Sequence, residues 1–285
     1  MRIEVIGAGS IGIVLSSLLR RKNDVTLVVK KGEGNLYDRD FTVKEGEREE
    51  KFKVRIAEST GAPDLTIVAV KSYDLDDVFD RYDIRGKVML IQNGLSHISL
   101  EKPGITKIYA VTTWGAKRES RGVVELTGRG YFRVGSESGK VDISFLREAG
   151  INAEWVENIK EELYRKAAIN AVINPLTALF GVKNGELVEN KNLWSLAKEV
   201  IGELDELFSR LGYDLQIEKN VLETCKVTGG NVSSMLQDVR NGKKSEIDSI
   251  TGEIISLGNK NGIRMRLNEF LYGSIKFLES VALHT

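Results

Sequence analysis

The 285-residue sequence is poor in the residues that build covalent and metal cross-links: one cysteine, Cys225, and two histidines, His97 and His284. A single thiol excludes an intrachain disulfide, and these residues are too few for a zinc cluster of Cys and His. That scarcity fits a reducing compartment, and a cytoplasmic location is expected. Neither sign of charge is in excess, with 41 Lys and Arg against 41 Asp and Glu. A nucleic-acid binder usually carries a net basic face, so no nucleic-acid partner is expected. No apolar run reaches the roughly 18 residues of a membrane helix, so no membrane partner is expected either. The stretch Ile11 to Leu19 is preceded and interrupted by glycines and lacks a basic leader. The N-terminus is therefore expected to be mature as written. Neither G-x-S-x-G nor G-x-x-x-x-G-K-[ST] occurs, which argues against a hydrolase nucleophile elbow and a P-loop nucleotidase. Only three prolines are present, and no Pro/Gly/Ser-rich linker, internal repeat or low-complexity segment divides the chain.

What is present falls into two halves of different rhythm. Up to about residue 157, short β-branched runs alternate with helical stretches. Strands are expected at Arg2 to Ile6, Val25 to Val29, Leu65 to Val70, Lys87 to Ile91 and Lys107 to Val111. Several are almost continuously apolar, as parallel strands buried on both faces should be. In the stretch from Phe41 to Ser59, Phe52, Val54 and Ile56 alternate with charged residues. That period of two predicts an edge hairpin turning at GEREE, and Gly122 to Leu126 with Tyr131 to Val134 reads as a second hairpin. From residue 158 to 285 the pattern is helical. Trp194 to Leu211 places Leu196, Val200, Leu204, Leu207 and Phe208 on one side of an amphipathic helix. Trp155, Trp194 and Phe208 are expected in the core, and Cys225 as an inert structural thiol.

Gly7-Ala8-Gly9-Ser10-Ile11-Gly12 follows the first strand and opens a helix, the context in which G-x-G-x-x-G has physical meaning. The first glycine permits the tight turn and the second lets backbone approach a pyrophosphate. The third lets helix pack on strand, while the helix N-terminus faces the negative charge. The fold expected is an α/β Rossmann-type dinucleotide-binding domain, residues 1–157, followed by an all-α substrate-binding and catalytic domain, residues 158–285. The active site is expected in the cleft between them. The second strand ends in Lys30-Lys31 rather than a carboxylate, which favours NADP. Glu33 nearby keeps NAD open.

Lys166, Asn170 and Asn174 recur every four residues in YRKAAINAVINP, forming one polar stripe on an otherwise apolar helix. Spacing alone leaves open whether that stripe meets solvent or a ligand. Pro175 is expected to kink or end the helix just past Asn174. Hydride addition to a ketone develops charge on oxygen, and a lysine can both polarise the carbonyl and protonate the product. Partial burial would lower its pKa from the reference of about 10.4 toward neutrality.

The sequence resembles the ketopantoate reductase family over nearly its whole length. The similarity is carried by GAGSIG, VKSYD with Lys71, QNG with Asn93, TTWGA with Ala116, RKAAINAVINPLTALF, NGEL from Asn184, NVSSMLQD and KSEID. The resemblance implies that Lys166 is the proton donor and that Asn170, Asn174, Asn184 and Ser234 contact substrate, with Asn231 a weaker candidate. It implies that Asn93 lies near nicotinamide and substrate, that Lys71 and Ala116 border the cofactor, and that Lys30 meets the NADP phosphate. Glu246 is implied beside the catalytic centre, fixing substrate or cofactor. Without the resemblance, Glu246, Lys71 and Ser234 read as surface or capping residues. Ser96 stands where the family often has glycine, Trp114 where histidine is common, and the segment after Lys30 diverges.

The expected function is NADPH-dependent reduction of 2-dehydropantoate to (R)-pantoate in pantothenate and coenzyme A biosynthesis. One alternative is another NAD(P)-dependent hydroxy-acid dehydrogenase of similar two-domain build; a second, from a different class, is a non-catalytic dinucleotide-sensing protein. A small 2-keto acid is the expected partner molecule, no metal is expected, and a homodimer is open beside a monomer.

Overall fold

The computed structural model describes residues 1–37 and 40–282; His284 lies outside the described residues. The chain forms two compact units, one of residues 1–92 and 100–159, the other of residues 93–99 and from 160 onward.

The first unit carries β1 (Arg2–Ile6), α1 (Ser10–Leu19), β2 (Asp24–Val28), β3 (Phe41–Glu45), β4 (Arg48–Phe52), β5 (Arg55–Ala57), β6 (Leu65–Val68), α2 (Leu75–Arg81) and β7 (Gly86–Leu90). It continues with β8 (Ile105–Thr112), β9 (Gly115–Ser120), β10 (Val123–Gly128), β11 (Phe132–Gly135), α3 (Ser144–Glu148) and β12 (Ala153–Trp155). Among the described residues the large sheet has the order β12-β11-β8-β7-β6-β1-β2-β5. Its pairs are parallel except β11 on β8. The apolar runs of β1, β6 and β7 are buried because helices and loops cover both faces of such a sheet. The chain leaves β1 toward β2 and returns to β6 on the other side of β1, so the direction in which strands are added to the sheet reverses there, while the strands stay parallel. In such sheets, ligands gather outside the carboxyl ends of the strands at that switch point.

A smaller sheet, β4-β3-β10-β9, lies against α1. Helix α1 therefore contacts β1 and β2 with one face and β3, β9 and β10 with another, which is why Gly12 to Leu19 are buried all round. The first predicted hairpin forms as β3 and β4, with Gly46 at positive φ in its turn. Ile56 departs from it: β5 pairs in parallel with β2 in the large sheet. The second predicted hairpin does not form. Strand β10 pairs with β9 and β3, whereas β11 pairs with β8 and β12. Alternation within each strand was legible, but the turn-like Gly128 to Gly130 segment connects two sheets rather than two paired strands.

The second unit is helical: α4 (Ile159–Phe180, its first residue in the first unit), α5 (Glu186–Glu189), α6 (Lys191–Arg210), α7 (Ile217–Val227), α8 (Ser234–Arg240), α9 (Glu253–Lys260) and α10 (Arg266–Ala282). A π-helical turn, Asp248–Gly252, precedes α9. Of the two effects expected of Pro175, an end to the helix does not occur: α4 continues to Phe180. Burial of residues 171–178 holds the helix across the missing N–H. On α6, Val200, Leu204, Leu207 and Phe208 are buried as expected, but Leu196 is 45% exposed. At about 100° per residue Leu196 falls some 80° from Leu204, at the margin of the stripe. Trp155 and Trp194 are only partly buried, whereas Phe208 stacks at a tilt on Tyr164 at 5.2 Å. Cys225 is fully buried, and burial pushes its thiol up to about 11, so it stays protonated. No described helix is long and apolar enough to cross a membrane, and no described cluster could hold a metal.

Candidate active site

The glycine turn sits at the carboxyl end of β1. Gly7 takes φ +107°, where a side chain would be strained, and a Cβ there would lie 2.8 Å from Val70 Cγ1. A Cβ on Gly12 would lie 2.0 Å from the Gly7 carbonyl oxygen, so only glycine lets α1 start this close to the turn. The Gly7 amide donates to Val28 O at 3.0 Å, tying the turn to β2. The N-cap of α1 is Gly9, which has no side chain to cap the first turn, and such amides suit an anion. This cradle fits the pyrophosphate of a dinucleotide, and Ala8, Ser10 and Ile11 are half-buried around it.

Lys30 is exposed just beyond β2. Lys71 follows β6 at the same carboxyl edge, three residues past Val68, and Ala69 and Val70 between them touch the glycine turn. Gln92, at the end of β7, donates to Val68 O at 2.7 Å and so fixes the ends of β6 and β7 to each other. Ala116 lies on β9 in the smaller sheet, packed against the core that also holds α1.

In the second unit, α4 carries Lys166 and Asn170 half-buried and Asn174 buried. Burial brings the Lys166 amino group down to about 8, against the upward pull of the Glu246 carboxylate. Its neighbour Arg165 is engaged by Glu161 and Glu162, one turn back. Glu246 is only 6% exposed, and its Oε2 accepts from Asn93 Nδ2 at 3.1 Å. The backbone around Glu246 is held on both sides. Glu279 Oε1 accepts from Ser245 N at 2.7 Å, and Asp248 accepts from Tyr272 Oη at 2.8 Å and Lys276 Nζ at 3.2 Å.

Segment 93–99 reaches this place through two features that the sequence reading passed over. Gly94 has φ +84°, and a Cβ there would lie 2.2 Å from Ser249 O, while Leu95 N donates to that same oxygen at 2.8 Å. The glycine of QNG was the available signal, since its contact needs both a left-handed residue and the absence of a side chain. Ser249 lies in the π-helical turn, a deformation frequent at functional sites.

The remaining residues, Asn184, Asn231 and Ser234, lie on the segments that join α4 to α5 and α7 to α8 and at the start of α8. Asn184 is buried, with Nδ2 donating to Thr228 Oγ1 at 2.9 Å, and its backbone N–H donates to Asn231 O at 3.0 Å. Asn231 and Ser234 are exposed, Ser234 opening α8 next to its capping residue Ser233. Ser233 Oγ lies 2.8 Å from Thr177 Oγ1, which ties α8 to the helix of Lys166.

Residues 3–139 match the family model "Ketopantoate reductase PanE/ApbA" and residues 158–279 its C-terminal counterpart. A 2-dehydropantoate 2-reductase of Archaeoglobus fulgidus is 33% identical over 289 residues, covering 98% of each chain. The crystal structure of a probable 2-dehydropantoate 2-reductase from Bacillus subtilis superimposes with TM-score 0.85 at 29% identity, covering 98% of this chain and 100% of that one. A D-mandelate dehydrogenase, solved with NADH and anilino(oxo)acetate, shares the fold at TM-score 0.89 and 24% identity, with 99% of each chain covered. These matches run along nearly the whole chain, which belongs to the ketopantoate reductase family and is an oxidoreductase.

Proposed function

We propose that the protein reduces 2-dehydropantoate to (R)-pantoate with NADPH, a step toward pantothenate and coenzyme A. The observation that carries this reading is the Lys166 amino group, held by burial at about 8 on the same helix as Asn170 and Asn174. An amine of that pKa is protonated at neutral pH and can release its proton without a prohibitive cost.

NADPH, held by the Gly7 to Gly12 turn, would supply a hydride to the ketone carbon. Lys166 Nζ–H polarises the carbonyl oxygen, then transfers a proton to it as negative charge builds there, so ketone and two reducing equivalents become a secondary alcohol. Asn170 and Asn174, one and two turns further along α4, hold the substrate's carboxylate and hydroxyl groups without adding charge. Asn93, Asn184 and Ser234 complete the substrate contacts in this reading, with Asn231 contributing less. Glu246, fixed by Asn93, keeps a negative charge near Lys166 and orients substrate or cofactor. Gly7 to Gly12 take the pyrophosphate, Lys71, Asn93 and Ala116 border the cofactor, and Lys30 meets the 2′-phosphate.

The assay is NADPH oxidation across a small panel of branched 2-keto acids. 2-Dehydropantoate should give the highest kcat/KM; turnover of an aryl keto acid in its place would assign a different substrate. Lys30→Glu should move cofactor preference toward NADH.

A further inference from the structure

A carboxylate does stand at the end of β2, although β2 does not supply it. Strand β5 runs parallel beside β2 with Ala57 opposite Val28, and Val29 N donates to Ala57 O at 2.9 Å. Glu58, the next residue along β5, is thereby carried to the loop that begins at Lys30. Its Oε1 accepts from Gly34 N at 2.7 Å, and the Gly32 amide acts on the same carboxylate. Gly32 has φ +83°, which favours glycine, and a Cβ on Gly34 would sit 2.7 Å from Oε1, so the carboxylate lies close over this loop. The Gly32 and Gly34 amides, with a smaller pull from Lys31, hold the Glu58 carboxyl below its ordinary range. Lys31 is the cation whose charge reaches it, while Glu33 and Glu58 both act on Tyr82, whose hydroxyl donates to Val29 O at 2.9 Å.

In this fold the end of the second strand is where dinucleotides are told apart. A carboxylate there favours the ribose 2′-hydroxyl of NAD, and a cation there accommodates the 2′-phosphate of NADP. Backbone amides of a glycine-containing loop are also natural donors to a phosphate. Here the Gly34 amide is already occupied by an internal anion, in the same loop as Lys30 and Lys31. We infer that Glu58 is a specificity-determining residue that weakens binding of the 2′-phosphate and offsets part of the preference conferred by Lys30. This rests on the proposed placement of the 2′-phosphate at Lys30. The divergent, charged segment after Lys30 then works as one unit with a residue two dozen positions downstream.

The test is direct binding of NADPH and NADH to the protein without substrate, for wild type, Glu58→Gln and Lys30→Glu. Glutamine keeps a carbonyl acceptor for the Gly34 amide at nearly the same size and removes the charge. Glu58→Gln should tighten NADPH by roughly fivefold, the effect of one unit-charge pair a few ångströms apart in water, and leave NADH no tighter. The gain should shrink in about 0.5 M salt, which a purely structural role for the side chain would not produce. NADPH affinity that is unchanged or weaker in Glu58→Gln would overturn the inference. If Lys30→Glu leaves NADPH binding unaltered as well, the placement of the phosphate fails. If Lys30→Glu weakens NADPH while Glu58→Gln does nothing, the role of Glu58 alone fails.

Discussion

Asn93 and Glu246 lie 153 positions apart in the chain, yet Asn93 Nδ2 donates to Glu246 Oε2 at 3.1 Å. Segment 93–99 leaves the large sheet after β7 and folds as part of the helical unit, where Gly94 seats it on Ser249. Removing the amide leaves a carboxylate that is only 6% exposed short of a donor. Asn93→Ala should cost about 1–3 kcal/mol, read from the urea midpoint of the second unit's unfolding. Asn93→Asp should cost more, because two carboxylates would then face each other. A midpoint unchanged in both variants would show that the bond contributes nothing.

Gly12→Ala tests the cradle. The added Cβ would fall 2.0 Å from the Gly7 carbonyl, so either the turn or the start of α1 must move. NADPH affinity should fall at least tenfold, roughly 1.4 kcal/mol or more, by fluorescence titration. The helical unit should keep its own unfolding midpoint. Tight NADPH binding by the variant would mean that the cofactor does not use this turn.

The pH dependence follows from Lys166. Its protonated form is the acid, so kcat/KM should be high below about 8 and fall as pH rises through it. The Glu246 carboxylate raises this value, so Glu246→Gln should move the falling limb to lower pH. A limb that stays in place in Glu246→Gln would separate the two groups.

The parallel strands, the glycine turn and the lysine helix were legible because each is written in local pattern: apolar runs, a spaced glycine triplet, a period of four. What escaped the sequence depends on pairing between distant segments. Val123 to Gly128 alternates as a strand should, but nothing local says that its partners are Phe41–Glu45 and Gly115–Ser120. Pro175 signals a kink or an end, and tertiary burial carries the helix past it. Glu58 was invisible as a cofactor-site residue because β5 brings it there by lateral register with β2, whereas the fingerprint is read along β2 itself. Glu246 and Asn93 carried no local signal of their association, and only the family resemblance marked both.

The most direct measurement is single-turnover and steady-state reduction of 2-dehydropantoate by Lys166→Ala and Lys166→Arg, with NADPH affinity measured beside it. Alanine should lower kcat by about 10²–10⁴-fold while NADPH affinity changes little. Arginine keeps the charge but is a poor proton donor, so it should recover little of the lost rate. A folded Lys166→Ala protein that binds NADPH and turns over within about threefold of wild type would contradict the assignment of Lys166 as the general acid.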